Sequence, residues 1–193
     1  MDILWTPWRY RYVTRANKDE REGVPAALAA WPGDHHCVFC NLLAASQYGA
    51  EHGISQLEAD RAAHIIFRAE HCFLCMNAFP YNSGHAMILP YQHVAELDLL
   101  PAAAATEMMA LAQKLERALR QVYRPDGINL GMNLGESAGA GVTGHLHMHM
   151  LPRWSGDTNF MTVIGETRVL PESLEEAADR LREALAGSAP ATR

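Results

Sequence analysis

The sequence predicts an α+β fold in which an antiparallel sheet is backed by helices. Three observations point to this class: short β-like segments come first, one long helical segment follows, and two further β-like segments come after it. That order is typical of segregated strands and helices rather than of alternating βαβ units. The chain has 193 residues, of which 49% are hydrophobic and 20% are charged. It is therefore long enough for one domain with a sizeable core.

Composition and charge narrow the functional class. Sixteen Lys and Arg against 22 Asp and Glu give a net charge of −6, which argues against broad electrostatic binding to nucleic acid. No apolar run approaches the roughly 18–20 residues that a membrane helix needs. The start, MDILWTPWRYRYV, lacks the uncharged apolar stretch of roughly 7–15 residues that a signal peptide has. We therefore expect a cytoplasmic protein that binds neither nucleic acid nor a membrane.

In the first half of the chain we expect an N-terminal extension, a short helix and three strands. Residues 1–36 read as the extension, whose aromatic side chains would pack on the body of the protein. The helix would begin at Cys37 and end near Gln47. A tight connection separates the first two strands, and a turn containing Pro80 and Gly84 separates the second from the third. The predicted strands cover residues 64–68, 72–76 and 86–89.

In the second half we expect a long helix, two strands and a last amphipathic helix. The long helix, residues 101–123, has apolar positions at three- and four-residue spacing and begins at a proline. The strands, 128–134 and 146–152, flank a Gly-rich linker. The last helix would cover 171–186. The expected organisation is an extension (1–36), a main domain (37–165) and a C-terminal helix and tail (166–193).

The most informative segment alternates histidine with apolar residues: His145, His147 and His149 are separated by Leu146 and Met148. Alternation has the period of a strand, so the three imidazoles would share one face and the apolar side chains the other. With the apolar face on the core, the histidine face would look at solvent, a ligand or a partner. The outer imidazoles would lie roughly 13 Å apart along the backbone, so one metal ion could hardly take all three. Imidazole suits both a nucleophile and a general acid near neutral pH.

Two other interpretations of this strand stay open. It could be a half-exposed strand that happens to be rich in histidine, or His-x-His pairs could supply ligands to a catalytic metal. The Gly-rich linker before it, residues 135–144, could let backbone amides converge on an anion, although a flexible loop would have the same composition. Asn133, Ser137 and Thr143 add neutral donors. Because the linker leads directly into the histidine segment, its composition favours a phosphate-binding site beside a nucleophilic histidine.

The histidine segment, HLHMHML at 145–151, resembles the His-φ-His-φ-His-φ-φ motif of the histidine triad (HIT) superfamily without a mismatch, where φ is an apolar residue. Residues 77–90, NAFPYNSGHAMILP, are similar to the superfamily's nucleotide-side strand–turn–strand. The resemblance covers roughly residues 37–165. More narrowly, residues 4–9 (LWTPWR) and 152–160 (PRWSGDTNF) resemble the bacterial branch with diadenosine tetraphosphate phosphorylase activity.

The resemblance implies an HIT-fold enzyme, a homodimer, that transfers or hydrolyses the nucleotidyl group of dinucleoside polyphosphates. His147 would attack the α-phosphorus and form a nucleotidyl-histidine intermediate. His149 would donate a proton or hydrogen bond to the departing phosphate oxygen. Orthophosphate or water would then release the nucleotide. The rival classes are a metal-dependent hydrolase and a non-catalytic nucleotide- or zinc-binding module.

The resemblance also implies substrate-binding residues. Asn77 matches the position that contacts the ribose, although a turn-capping role is open, and Asn133 matches a phosphate-contacting amide. His85 matches a supporting histidine, and a structural histidine is nearly as expected there. Further expected contacts to substrate are Gly139, Thr143, His149 and Trp154, the last of which could equally be a core or dimer aromatic. Many relatives have Ser or Thr three residues before the triad, where this chain has Val142, and this leaves the acceptor open.

The chain has four cysteines, in two Cys-x-x-Cys pairs. Cys37 and Cys40 could place two thiolates on one tetrahedral zinc ion. Zinc-bearing relatives complete such a site with a histidine after the strand–turn–strand and with the first triad histidine, which here are His93 and His145. We therefore expect one structural zinc per chain and no organic cofactor. His35 and His36 are rival ligands, but their adjacency to Cys37 makes chelation awkward.

The second pair, Cys72 and Cys75, lies in a predicted strand, where residues three apart point to opposite faces. We expect these two thiols to be buried and reduced. A four-cysteine zinc ribbon with the first pair and a redox dithiol are the alternatives.

Overall fold

The computed structural model describes residues 21–157 and 170–187 of the chain. Most of the expected N-terminal extension, with its aromatic residues and the 4–9 segment, lies outside the described residues. So do residues 158–169, which include the end of the 152–160 segment, and residues 188–193.

Four α-helices form in the described residues: α1 (Val38–Glu51), α2 (Gln56–Ala62), α3 (Ala102–Tyr123) and α4 (Leu174–Gly187). The longest, α3, follows Pro101 and turns its apolar stripe toward the sheet. In α2, the Ser55 side chain accepts from the Glu58 amide while the Glu58 carboxylate accepts from the Ser55 amide, so a capping box fixes its start. None of the helices in the described part is long and apolar enough to cross a membrane.

In the described residues, five strands form one antiparallel sheet in the order β1-β2-β3-β5-β4. Their bounds are Ile65–Arg68, Cys72–Met76, Ala86–Pro90, Gly127–Met132 and Met148–Arg153 for β1 to β5. The strand that follows the histidines, β5, therefore lies inside the sheet between β3 and β4. This agrees with the predicted α+β class and the antiparallel sheet.

Helices cover both faces of the sheet, and each face has its own core. Helices α3 and α4 pack on one face, against side chains that include Leu74, Ile88 and Met148. Helices α1 and α2 pack on the other face, against Phe73 and Met87 among others. Strands β2 and β3 are buried along their whole length, since both of their faces are covered. By contrast, β4 is largely exposed.

The turn between β2 and β3 depends on a glycine. Gly84 has a φ of +72°, and a Cβ added there would lie 2.6 Å from the ring of Tyr123 on α3. Both the left-handed backbone and the close ring exclude a side chain at this position. The turn is thereby held against the end of α3, which fixes the backbone that leads into β3.

Candidate active site

The first two triad histidines lie beneath α1 instead of facing outward, which corrects the expectation of an exposed histidine face. His145 is 0% exposed and His147 4%, while His149 is half-buried. The strand begins at Met148, not at Leu146, because the Leu146 amide donates to the carbonyl of Val94. Helix α1 is the cover, since it packs on this face of the sheet.

The hydrogen bonds of His147 select its tautomer. Its Nδ1 lies 2.8 Å from the backbone carbonyl of His145, which can only accept, so Nδ1 carries the proton. The lone pair of the neutral ring is therefore on Nε2. Nε2 has no hydrogen bond from a described residue, and it is not among the polar atoms buried there without a partner. The ring of Phe39 packs against His147 at a centroid distance of 5.2 Å.

Burial decides the charge of these two rings. Desolvation lowers the pKa of His147, and the hydrogen bond to the His145 carbonyl opposes this only in part. Desolvation likewise lowers the pKa of His145 to about 4, against the opposing hydrogen bond to the Pro90 carbonyl. Both imidazoles are therefore neutral at pH 7. A neutral ring with its lone pair on Nε2 is the form in which His147 can attack an electrophile.

A hydrogen-bonded chain reaches His149 from the β2–β3 turn. The Tyr81 amide donates to Nδ1 of His85 at 3.1 Å, so that nitrogen carries no proton. Nε2 of His85 then carries the proton and lies 3.0 Å from Nδ1 of His149, to which it donates. A neutral His149 consequently has its own proton on Nε2. The rings of His147 and His149 are nearly perpendicular neighbours with centroids 4.8 Å apart, so a ring with a lone pair on Nε2 lies beside a ring with a proton on Nε2.

Two residues of the turn support this chain. Asn77 accepts from the Phe79 amide at 2.9 Å, which is the turn-capping contact left open by the sequence, and its Nδ2 lies 3.4 Å from both ring nitrogens of His85. The ring of Tyr81 packs on His85 and His149, with centroids 4.7 Å and 6.0 Å away. His85 is 0% exposed. These contacts place His85 as a support for His149.

The loop before the triad is on the surface. Asn133 donates weakly, at 3.4 Å, to the carbonyl of Gly139, whose φ is +94°. Thr143 is exposed and lies two residues before His145. The structure thus brings Asn133 and Gly139 together and leaves Thr143 at the approach to the triad. Their contacts to a phosphate stay a prediction.

Trp154 follows the far end of β5. Its ring meets Tyr123 edge-on, with centroids 6.2 Å apart. Four residues of β5 lie between Trp154 and His149, which places the two about 16 Å apart along the strand. Within the described part of one chain, Trp154 therefore packs as an aromatic at the end of α3, and its predicted role beside the phosphate stays untested.

Two cysteines and two histidines meet at the start of α1. Cys37 caps the helix and Cys40 lies in its first turn, while His93 follows β3 and His145 begins the triad. Their ligand atoms all lie within 4.8 Å of one another, the arrangement of a metal site. Three sulfur–nitrogen distances are 3.4–3.5 Å, close to the about 3.6 Å edge of a tetrahedron with zinc–ligand bonds of about 2.0–2.3 Å.

The tautomer of His145 also suits a metal. Its Nε2 lies 2.9 Å from the Pro90 carbonyl and therefore carries the proton. The lone pair is then on Nδ1, the atom that faces the sulfurs of Cys37 and Cys40. Metal-bound histidines commonly donate their second nitrogen to a backbone carbonyl in this way.

The second cysteine pair is separated by the sheet, as expected. Cys72 is in the core under α3, and Cys75 is in the core under α1 and α2. Both thiols are unpaired with another cysteine and buried, and desolvation raises the pKa of each to about 12. A shared four-cysteine site is excluded by this geometry.

Sequence reasoning missed two aromatic residues of the site. Phe39 lies between the two cysteines of α1 and contacts the rings of His145 and His147, and Tyr81 contacts His85 and His149. The available signal was their position, because Phe39 lies inside the first Cys-x-x-Cys pair and Tyr81 lies inside the 77–90 segment. Neither residue type carries a chemical role by itself, which is why the pattern did not single them out.

The fold and this arrangement of histidines define a histidine triad protein, and the chain belongs to the HIT family. The family model, described as the HIT domain, matches residues 58–156. This confirms the family resemblance.

Among curated proteins, the chain is similar to the AP-4-A phosphorylase of Mycobacterium tuberculosis. The two are 37% identical over 173 residues, which is 90% of this chain and 78% of that protein. The resemblance to the bacterial phosphorylase branch is thereby supported along most of the chain.

Solved structures of histidine triad proteins are also similar to this chain. A zinc-bound histidine triad family protein from Mycobacterium smegmatis matches with a TM-score of 0.56 and 28% identity, over 78% of this chain and 93% of that one. A hypothetical histidine triad nucleotide-binding protein from Sulfolobus tokodaii matches with a TM-score of 0.54, over 64% and 83% of the two chains. At 23% identity, the latter shares the fold.

Proposed function

We propose that the protein is a nucleotidyl-transferring phosphorylase or hydrolase of dinucleoside polyphosphates that works through a nucleotidyl-His147 intermediate. The observation that carries the proposal is the pair of tautomers: a lone pair on Nε2 of His147 beside a proton on Nε2 of His149. The 37% identity to an AP-4-A phosphorylase supports the substrate class.

In the first step, the Nε2 lone pair of His147 attacks the α-phosphorus. The bond between this phosphorus and the bridging oxygen breaks, and the oxygen leaves as the anionic end of a nucleotide phosphate, stabilised by a hydrogen bond from the Nε2 proton of His149. The His145 carbonyl stabilises the positive charge that develops on His147 through the Nδ1 proton. Covalent catalysis divides one difficult displacement into two easier ones.

In the second step, orthophosphate or water attacks the same phosphorus from the opposite side. The nitrogen–phosphorus bond breaks, and its electron pair returns to Nε2 of His147. Orthophosphate attacks through an anionic oxygen and has no proton to lose there, whereas water releases its proton to solvent. With diadenosine tetraphosphate, transfer to orthophosphate would yield ADP and ATP, whereas hydrolysis would yield AMP and ATP. The exposed loop at 135–144 is the part of the site through which the acceptor would approach.

The metal-dependent hydrolase is the weaker candidate. In the described residues the candidate metal ligands include His145 but neither His147 nor His149. His149 instead accepts from His85 on Nδ1. The arrangement therefore separates a metal position from the pair that would perform the chemistry.

Product analysis tests the proposal. The purified protein is incubated with diadenosine tetraphosphate, with and without orthophosphate, and nucleotides are separated. Phosphate-dependent ADP plus ATP supports phosphorolysis, and AMP plus ATP without added phosphate supports hydrolysis at the α-phosphorus. ADP alone without added phosphate would also indicate hydrolysis, but at another phosphorus, and would contradict the nucleotidyl-His147 intermediate. No turnover of any dinucleoside polyphosphate would contradict an enzyme of this class and favour a binding module.

We also propose that Cys37, Cys40, His93 and His145 hold one structural zinc ion per chain. Their chemistry fits: two thiolates and two imidazoles form a neutral site of the kind zinc prefers, at tetrahedral spacing. Bound zinc would crosslink α1, the segment after β3 and the triad. The zinc-bound relative from M. smegmatis supports this assignment.

Two matched serine variants test the ligands. Cys37→Ser removes a ligand, so bound zinc should fall from about one per chain toward zero. Cys72→Ser changes a buried thiol on the other face of the sheet and should keep its zinc. Metal content by atomic spectroscopy decides, and zinc loss in the Cys72 variant alone would overturn the choice of ligands.

A homodimer is the expected assembly, and β4 supports it. This strand ends the sheet, and Leu130 is 46% exposed on it, with Leu134 48% exposed just beyond. Exposed apolar edge strands are natural pairing surfaces. Light scattering should give twice the chain mass. Leu130→Lys should shift it toward the monomer and Leu57→Lys on α2 should not.

A further inference from the structure

Within the described residues, the candidate zinc site is open on the side of Cys40 and His93. Cys37 and His145 are buried at 7% and 0% exposure, whereas Cys40 is half-buried and His93 is exposed. Phe39 closes the inner side, because its ring packs against both His145 and His147. An ion can therefore reach the four ligands from the Cys40 and His93 side.

A cleft opens on this accessible side. Its volume is about 470 Å³, enough for roughly fifteen water molecules at about 30 Å³ each. Among the described residues, its lining includes His35, Cys40, Gln47, Arg68, Tyr91 and His93. A hydrated cation thus has room to enter beside two of the ligands.

The charge of Arg68 does not oppose a cation in the cleft. Its guanidinium donates to the carboxylate of Asp60 at 2.7 Å and to Ser46 at 3.1 Å. The two charged side chains are only 29% and 15% exposed, so their charges offset each other locally. Gln47 and Tyr91 contribute neutral groups to the lining.

A third imidazole lines the same cleft. His35 lies two residues before Cys37 and is exposed, yet its position is fixed from two sides. Its amide donates to Asn41 on α1 at 2.7 Å, and its ring packs on Trp31 with centroids 5.5 Å apart. It is not within the 4.8 Å cluster of ligand atoms. Imidazole is a common zinc ligand, so His35 offers a lone pair on the path to the site.

We propose that this cleft is the route by which zinc enters and leaves, and that His35 is the residue that receives the ion on that route. The inference rests on the proposed zinc site. On entry, His35 donates a ring nitrogen to the ion in place of a water molecule, and releases it as Cys40 and His93 bind. On release, the order reverses. Zinc tolerates a temporary fifth ligand, so exchange need not pass through a bare ion.

The neighbouring histidine supplies a matched control. His36 has the same side chain and lies next in sequence, but its backbone is left-handed, with a φ of 54°. Its side chain is 89% exposed, lies 3.3 Å from Asp34, and does not line the cleft. His35→Ala and His36→Ala each remove an exposed imidazole from the same loop, so the two variants are matched.

Metal transfer kinetics test the proposal. Zinc-loaded full-length protein is mixed with excess 4-(2-pyridylazo)resorcinol, and the coloured chelate is followed in time. His35→Ala should slow the transfer about tenfold, which corresponds to a barrier about 1.4 kcal/mol higher, because the ion loses an imidazole ligand along the route. His36→Ala should transfer zinc at the wild-type rate. Both variants should bind one zinc per chain at equilibrium.

Cobalt uptake by the metal-free protein separates a route from a ligand. His35→Ala should fill more slowly but reach the same tetrahedral absorption spectrum as the wild type. A changed final spectrum, or loss of stoichiometric metal, would make His35 a resident ligand and overturn the proposal. Equal rates for wild type and His35→Ala would also overturn it while leaving the zinc site intact. A wild type that retains no zinc would instead contradict the zinc site itself.

Discussion

At the residue scale, hydrogen bonds give the three triad histidines different tasks. His145 turns its Nδ1 toward two sulfurs, and its carbonyl orients His147. His149 accepts from His85, so its proton lies on the opposite nitrogen. In the proposed function, one short segment therefore joins a metal ligand, a nucleophile and a hydrogen-bond donor to the leaving group, each oriented by a backbone or side-chain partner.

Replacement of His147 tests the nucleophile. His147→Ala should lower turnover by about four or more orders of magnitude, because loss of a covalent nucleophile removes the reaction path. It should also destabilise the fold by about 1–2 kcal/mol, since the ring is buried and donates to the His145 carbonyl. Turnover and urea denaturation measure the two effects. A variant that retains more than about a tenth of the activity would contradict the covalent role.

Replacement of His85 tests the support of His149. His85→Ala should lower kcat about 10–100-fold with little change in KM, because His149 loses the donor that orders its tautomer. His85→Gln keeps an N–H donor and should recover part of the loss. Steady-state kinetics of both variants decide. Equal kcat values for the two, or a change in KM alone, would show that His85 acts only through packing.

Much of the site was predictable from spacing, but its burial was not. Cys37, Cys40, His93 and His145 carry chemistry in their residue types, and the structure brings them together. The expectation that His147 faces outward was wrong. It fails because Phe39 covers the ring, and this contact joins residues 108 apart in the chain. Strand periodicity assigns a side chain to a face but does not reveal what packs over that face.

At the element scale, a carboxylate of α3 caps the turn between β1 and β2. Glu107 accepts from the amides of Glu70, His71 and Cys72 at 3.1, 2.7 and 2.7 Å. These amides would otherwise lack partners where the hairpin meets the helix. Helix and hairpin are therefore joined by polar contacts as well as by the core under α3.

Glu107→Ala should destabilise the protein by about 3 kcal/mol, because three amides lose a charged acceptor. Glu116→Ala, on the same helix, removes a carboxylate that only pairs with exposed Arg120 and should change stability by less than about 0.5 kcal/mol. Urea denaturation compares the two. Similar losses in both variants would contradict the capping role of Glu107.

Element boundaries were predicted less well than element types. Helix α2 was missed although Ser55 and Glu58 have capping-box spacing, because a helix of seven residues shows little periodicity. Helix α1 continues to Glu51 and β5 begins at Met148. A tertiary contact decides where β5 begins, because the Leu146 amide donates to the carbonyl of Val94.

At the scale of the whole molecule, buried histidines couple stability to pH. Burial lowers the pKa of His64, His145 and His147, the second to about 4. The unfolded chain titrates these groups near pH 6.5, so below this pH it binds more protons than the folded state does. The contribution of these three neutral rings to the free energy of unfolding is therefore fully present above about pH 6.5. It is lost as the pH falls toward 4.

Metal-free protein should lose about 1–2 kcal/mol from His145 alone between pH 7 and pH 5, at about 1.4 kcal/mol per pH unit within the window. Urea denaturation at these two pH values measures the loss. Between pH 5 and pH 7 most carboxylates stay ionised, so the change in stability over this range reports mainly on the histidines. His145→Asn should flatten the dependence, and a steeper fall in that variant would contradict the assignment.

The class of the fold was predictable, whereas the position of β5 was not. Alternation of His145 to His149 with apolar residues indicates a strand but says nothing about which strands are its neighbours. The order β1-β2-β3-β5-β4 arises because α3 packs across the sheet and returns the chain to a new edge before β5 enters between β3 and β4. Such pairing depends on contacts far apart in sequence.

Because β5 is the last strand of this sheet to be translated and yet is flanked on both sides, the ribosome must deliver nearly the whole domain before the gap beside β3 closes. A nascent chain stalled near residue 140 should stay open to added protease, and one stalled well beyond Arg153 should resist it. Protease resistance of the chain stalled near residue 140 would show that the gap beside β3 closes without β5. An unfinished copy consequently holds no assembled triad, so the proposed activity should appear only after the described sheet is complete.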